Sequence, residues 1–173
     1  MGKSVLNYII LFLVLITSQI VIFNNICLFN VAIPFLFIYL IIRLPLSLSP
    51  NIVMSISFGI GLIIDIFSDT QGMHALACTI VAFLRRGILR LYVIREDDIA
   101  DGEVSIKSIG YFTYFKYLLT IVLLYCILIF CIEAFTFFNV LQLILRIICS
   151  TILSFILILG IERILNKKRE KRL

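Results

Sequence analysis

The sequence has no tryptophan, three prolines, one histidine, and only 14% charged residues in a chain of 173. A soluble domain carries roughly 25% charge, so this chain lacks the polar surface that a water-facing fold needs. Its 62% apolar content and mean hydropathy of +1.18 point to the bilayer instead. The five cysteines, Cys27, Cys78, Cys126, Cys131 and Cys149, are scattered without a C-x-x-C pair. That spacing argues against a thiolate metal site or a disulfide framework and leaves them as small apolar packing residues. No G-x-S-x-G, H-E-x-x-H or phosphate-binding glycine loop occurs either. A lone histidine cannot build a zinc site, and Asp65 and Asp69 are weak companions for it. The residues give no support to an enzyme, a metal or a cofactor.

What is present is a series of apolar runs broken by polar punctuation. A span needs about 20 apolar residues, and six candidates follow at roughly 5–23, 29–44, 51–68, 72–92, 115–133 and 139–161. The expected fold class is therefore an all-α membrane protein, a six-helix transmembrane bundle forming a single polytopic domain over 1–173. A cytoplasmic connector at 93–114 and a basic tail at 163–173 complete it. The first run is longer than a signal-peptide core and lacks a small-x-small cleavage pattern after it, so it is expected to remain as a span.

Charge placement orients the chain. Lys3, Arg43, six cations from Arg85 to Lys116 and six from Arg163 onward make fourteen of the fifteen lysines and arginines. An even number of spans puts them all on one side, which the positive-inside rule makes cytoplasmic, with both termini there. Six of the seven tyrosines, at 8, 39, 92, 111, 114 and 117, fall near the same boundary, as an interfacial belt does. The charged stretch 85–116 holds arginines at 85, 86, 90 and 95 beside lipid headgroups and an acidic run further out, and reads as a solvated connector, an amphipathic interfacial helix or a partner contact.

The fifteenth cation, Arg146, lies about 10 Å into the sixth span. A charge at that depth is costly unless paired or hydrated. Gln142, Ser150 and Ser154 recur with it at steps of four, a polar stripe that should face the bundle. The third span carries a similar series, Ser57, Gly61, Asp65 and Asp69, with Ser55 and Gly59 as a neighbouring small-x-x-x-small pair. The expectation is a buried ion pair between Asp65 and Arg146, the alternative being that each snorkels separately to the outer surface. Gly59 and Gly61 should admit a neighbouring helix, and His74 should be a hydrogen-bonding residue at the start of the fourth span. An intramembrane aspartyl protease is argued against by spacing, since the aspartate follows Gly61 by four residues rather than forming G-x-G-D.

The stretch "FGIGLIIDIFSDTQGMHALACTIVAFLRR", 58–86, resembles the characteristic segment of the rod shape-determining protein MreD family. The match falls on Gly59, Gly61, Asp65, Gly72, His74, Ala75, Arg85 and Arg86: a glycine-containing span, an aspartate at its outer end, a turn closed by glycine, and a small-residue span ending in arginine. The resemblance implies a non-enzymatic multi-pass protein of the bacterial cytoplasmic (inner) membrane, part of the cell-elongation machinery that directs peptidoglycan synthesis and cell shape. It implies a scaffold that binds an MreC-like single-span partner and, indirectly, MreB, RodA and a penicillin-binding transpeptidase. The family's fold is also similar to the S component of energy-coupling-factor transporters. That similarity supplies an alternative, a small-molecule (vitamin) binding subunit of an importer, with Asp65, Asp69 and His74 lining an outer pocket. Against it stand the absence of alanine from 5–23, where S components dock their transport partner, and the absence of tryptophan.

Overall fold

The computed structural model describes residues 12–20, 32–93, 104–133 and 140–170. Among them the chain is almost entirely helical. A first helix, α1, covers 12–20; α2 is Ile38–Arg43, α3 Pro50–Ser68, α4 Met73–Tyr92, α5 Ile106–Ile109, α6 Tyr111–Glu133 and α7 Val140–Glu170. Three of these, α3, α6 and the Val140–Leu165 part of α7, are long and apolar enough to cross a bilayer, as expected of a membrane protein. α4 matches them in length but carries Arg85, Arg86 and Arg90 in its last turns.

Local chemistry explains where the helices start and stop. Pro50 opens α3 at a position where its missing N–H costs nothing. Asp69 ends it in the left-handed region at φ 54°, a conformation aspartate tolerates better than most residues, and its N–H returns to the Asp65 carbonyl. Three residues later Gly72, at φ 76°, starts α4. The four-residue link forces α3 and α4 into a hairpin, and this pair forms the most extensive helix contact in the fold. α4 also packs on α6, α6 on α7, and α2 lies against both α4 and α6.

The connector and tail differ from their expected bounds. α6 begins at Tyr111, four residues ahead of the sequence-based start. The short helix α5, held by a Ser105–Ser108 capping box, leads into it. The charged run at 94–103 lies outside the described residues. The basic tail is no separate element, since α7 carries on through it to Glu170; at 1.5 Å per residue its 31 residues reach roughly 46 Å, more than a hydrocarbon core requires.

The largest departure is in the second predicted span. Residues 33–36 are not helical, and only Ile38–Arg43 form a short helix. Yet this segment is the core: Phe35, Leu36, Phe37, Ile38, Tyr39, Ile41 and Ile42 are all buried. Pro34 supplies the reason, because it lacks an N–H and disfavours helix at the residue before it. Around this centre the other helices turn apolar side chains outward, among them Ile66, Phe83, Leu91, Ile152 and Ile156. Such surface is a liability in water and the proper outer face of a protein in lipid.

Candidate functional site

The turn between α3 and α4 is built on one carboxylate. Gly72 has no side chain with which to cap α4, and the cap comes from Asp65, across the turn. Asp65 Oδ1 accepts the His74 N–H at 3.0 Å and the Thr70 hydroxyl at 2.5 Å, and Oδ2 accepts the Ala75 N–H at 2.9 Å. A buried carboxylate thus meets free N–H groups at the positive end of a helix dipole, where an anion is favoured. Close approach of the two helices makes the reach possible. A Cβ on Gly61 would lie 2.4 Å from Ala75 Cα and 2.7 Å from the His74 carbonyl oxygen, so only glycine fits there.

This geometry corrects the expected Asp65–Arg146 pair. Both Asp65 oxygens are engaged by α4, whereas Arg146 is half exposed and stands 3.7 Å from Glu133, at the end of α6. The physical reason is proximity in the chain: a four-residue turn brings the α4 N–H groups to Asp65 before any side chain from α7 can compete. Gly59 differs from Gly61. Among the described residues nothing lies within 4 Å of a Cβ added there, so no described helix approaches it as α4 approaches Gly61. Asp69 is exposed at the turn, where Leu62, Asp65, Gln71 and Gly72 help to line a shallow depression of about 400 Å³.

His74 is buried in an aromatic cage. Its Nδ1 shares a hydrogen bond with the Tyr125 hydroxyl, its ring lies nearly parallel to that of Tyr125, and Phe35 and Phe37 approach with ring centroids 6.0 Å away. His74 therefore ties α4 to α6 and to the core segment. Tyr125 was not singled out by sequence; it is the one tyrosine lying away from the predicted boundary.

The polar stripe on α7 divides. Gln142 is exposed, but Ser150 and Ser154 face inward and serve the non-helical segment: Ser150 Oγ accepts the Ile33 N–H at 3.0 Å, and Ser154 Oγ accepts the Phe35 N–H at 2.8 Å. From the opposite side Gln19 on α1 clamps the same stretch, its amide donating to the Pro34 carbonyl at 2.9 Å and accepting the Leu36 N–H at 2.8 Å. Non-helical backbone inside a membrane protein must be satisfied by protein groups, and these three side chains do so. Gln19 was missed by sequence reasoning.

At the other end of α4 the arginines bind backbone. Arg85, almost wholly buried, donates to the Ile41 carbonyl at 2.6 Å and the Pro45 carbonyl at 3.4 Å. Arg86 donates to the Leu46 carbonyl and to that of Leu48 at 3.1 Å. A guanidinium carries five donors in a fixed fork, enough to hold several carbonyls of one turn. Nearby the Tyr39 hydroxyl donates to Glu162 Oε2, a buried carboxylate of α7 that sequence reasoning also missed.

Among the described residues no three histidine, cysteine, aspartate or glutamate side chains are grouped to hold a metal ion. Comparison with known proteins gives no matching family model, no matching curated protein and no matching solved structure.

Proposed function

We propose that this protein is a non-enzymatic membrane scaffold of the rod-complex type, similar to MreD. In this reading it crosses the bacterial cytoplasmic membrane six times with both termini inside and binds an MreC-like single-span partner. Through that partner it acts with MreB, RodA and a penicillin-binding transpeptidase to direct peptidoglycan synthesis. The observation that carries the reading is the engagement of the Asp65 carboxylate by α4. Within the stretch that bears the resemblance, Gly61, Asp65, His74, Arg85 and Arg86 are all occupied in joining one element to another. Groups so occupied make a rigid frame rather than a reaction centre, and rigidity is what a docking scaffold requires.

The decisive experiment is affinity purification of the full chain in mild detergent, with identification of what comes with it. A co-purifying single-span protein with a large extracytoplasmic domain, and rounding of rod-shaped cells when the chain is depleted, is the expected result. Purification without such a partner, together with tight binding of a vitamin by the pure protein, would replace the scaffold with the importer-subunit reading. The depression beside Asp69 would then be the first place to look for the ligand.

A further inference from the structure

The outward side of α3 carries an ordered row. Ile52, Ser55, Gly59, Leu62 and Ile66, with Asp69 just past the helix end, recur at alternating steps of three and four, the spacing of a seam between two helices. The row looks away from the core: Ile52 is 49% and Ile66 75% exposed, Ser55, Leu62 and Asp69 are exposed, and Gly59 is half-buried. The residues that α3 buries, among them Ser57, Gly61 and Asp65, belong to its other side.

Three features distinguish this row from a surface made only to face lipid. Glycine is among the poorest helix formers, yet at Gly59 it relieves no contact among the described residues, since a Cβ would meet nothing within 4 Å. On the outside of a membrane helix the missing side chain leaves a notch into which a second helix can settle closely. At the outer end of the row lies the depression of about 400 Å³, and Leu62, Ile66 and Asp69, the last three members of the row, all line it. Asp69 gives that hollow its charge. The Asp65 carboxylate beside it is engaged by α4 and the turn, and Arg146, the one cation at this end of the bundle among the described residues, stands 3.7 Å from Glu133 instead. An exposed carboxylate at the end of an apolar seam selects a partner that brings a cation to it.

We propose that this row is the docking seam for the transmembrane helix of the single-span partner, and that the helix carries a lysine or arginine at its outer end that pairs with Asp69. The proposal rests on the scaffold reading and adds to it the face and the recognition chemistry. The partner crosses closely at Gly59, an aliphatic side chain fills the hollow between Leu62 and Ile66, and the basic group reaches Asp69 from the helix end. Acyl chains have no fixed shape to match a row of this spacing, whereas a helix has.

Photocrosslinking of the full chain in rod-shaped cells tests it, with benzoylphenylalanine placed singly at Leu62 and Ile66 on the seam and at Phe83 on α4 and Ile152 on α7, all of them exposed. The seam positions are expected to give a protein adduct at several-fold the yield of the two controls, and mass spectrometry of the adduct to identify a single-span protein with a lysine or arginine at the outer end of its span. Asp69→Lys should cut that yield at least tenfold, and changing the partner's basic residue to aspartate should restore it. Gly59→Leu should cut it likewise while the purified chain melts no lower than the parent. A partner that co-purifies but crosslinks from Phe83 or Ile152 rather than from the seam would overturn this face and leave the scaffold reading standing. Seam adducts with lipid alone or with a second copy of this chain would also overturn it, as would a partner adduct that Asp69→Lys leaves unchanged. The absence of any co-purifying single-span protein would overturn the scaffold reading as well.

Discussion

Two glycines two residues apart on α3 should respond oppositely to the same substitution. At Gly59 an added methyl meets nothing within 4 Å among the described residues, so Gly59→Ala should only restrict the unfolded backbone, a gain of about 0.5–1 kcal/mol. At Gly61 the methyl would lie 2.4 Å from Ala75 Cα and 2.6 Å from Ala75 N. Normal carbon contacts are near 3.5 Å, so α4 must retreat by about 1 Å. That retreat costs about 1–3 kcal/mol in displaced packing. It also stretches the bonds from His74 and Ala75 to Asp65, now 3.0 and 2.9 Å, beyond useful length. Losing a helix cap costs about 0.5–2 kcal/mol. Against the same propensity gain the net for Gly61→Ala is a loss of about 2 kcal/mol, or a melting temperature roughly 4–8 °C lower for a chain of this size. Gly59→Ala should melt slightly above the parent. With no tryptophan in the sequence, thermal unfolding followed by circular dichroism in nanodiscs is the suitable assay. Because the clash is with Ala75 backbone atoms, adding Ala75→Gly should not rescue Gly61→Ala. A Gly61→Ala protein as stable as the parent would refute the close approach and the cap that depends on it.

Asp65→Asn should cost about 1–2 kcal/mol by turning one acceptor into a donor that faces an N–H. Hydrogen exchange at the first turn of α4 should then rise about tenfold, and unchanged protection there would mean that Asp65 is not the cap. Ser154→Ala leaves the buried Phe35 N–H without its acceptor and should cost about 1–3 kcal/mol by thermal unfolding, with a smaller loss for Ser150→Ala, whose bond is only part-buried. Neutralising Arg146 or Glu133 singly should change stability by no more than about 0.5 kcal/mol, because the pair is long and half exposed. If Arg146→Asp rescued Asp65→Arg, the assignment of Asp65 to α4 would be wrong.

The sequence made the hairpin legible and left its inner logic obscure. Polar residues at 65, 69 and 74 within an apolar run located the turn, and the spacing of Gly61 and Asp65 put both on one face of α3. The partner of Asp65 was misjudged because cap rules look to the residue just before a helix. Here that residue is Gly72, and the capping oxygen comes from the preceding helix. The second span was harder, since an all-apolar stretch has no periodicity to separate helix from extended chain. Pro34 was the one local sign, and its meaning depended on whether side chains elsewhere could replace the lost helical bonds.

Those replacements are what the polar stripe on α7 encodes. Steps of four from Ser150 pass through Ser154 and Ile158 to Glu162, and all four residues are buried. The first two satisfy the N–H groups of Ile33 and Phe35, and the last receives the Tyr39 hydroxyl, so one face of α7 follows the core segment along its length. Taken as far as Ser154, the stripe looks like a path to Arg146 and invites an ion pair. Continued to Glu162, it is the mould of a non-helical neighbour. In lipid a chain that leaves the helix must find a side-chain partner for each buried N–H, and serine or glutamine can supply one without bringing a charge into the core. An isolated serine or glutamine in an apolar span is therefore better tested first as a partner for broken backbone, and only then as half of a salt bridge.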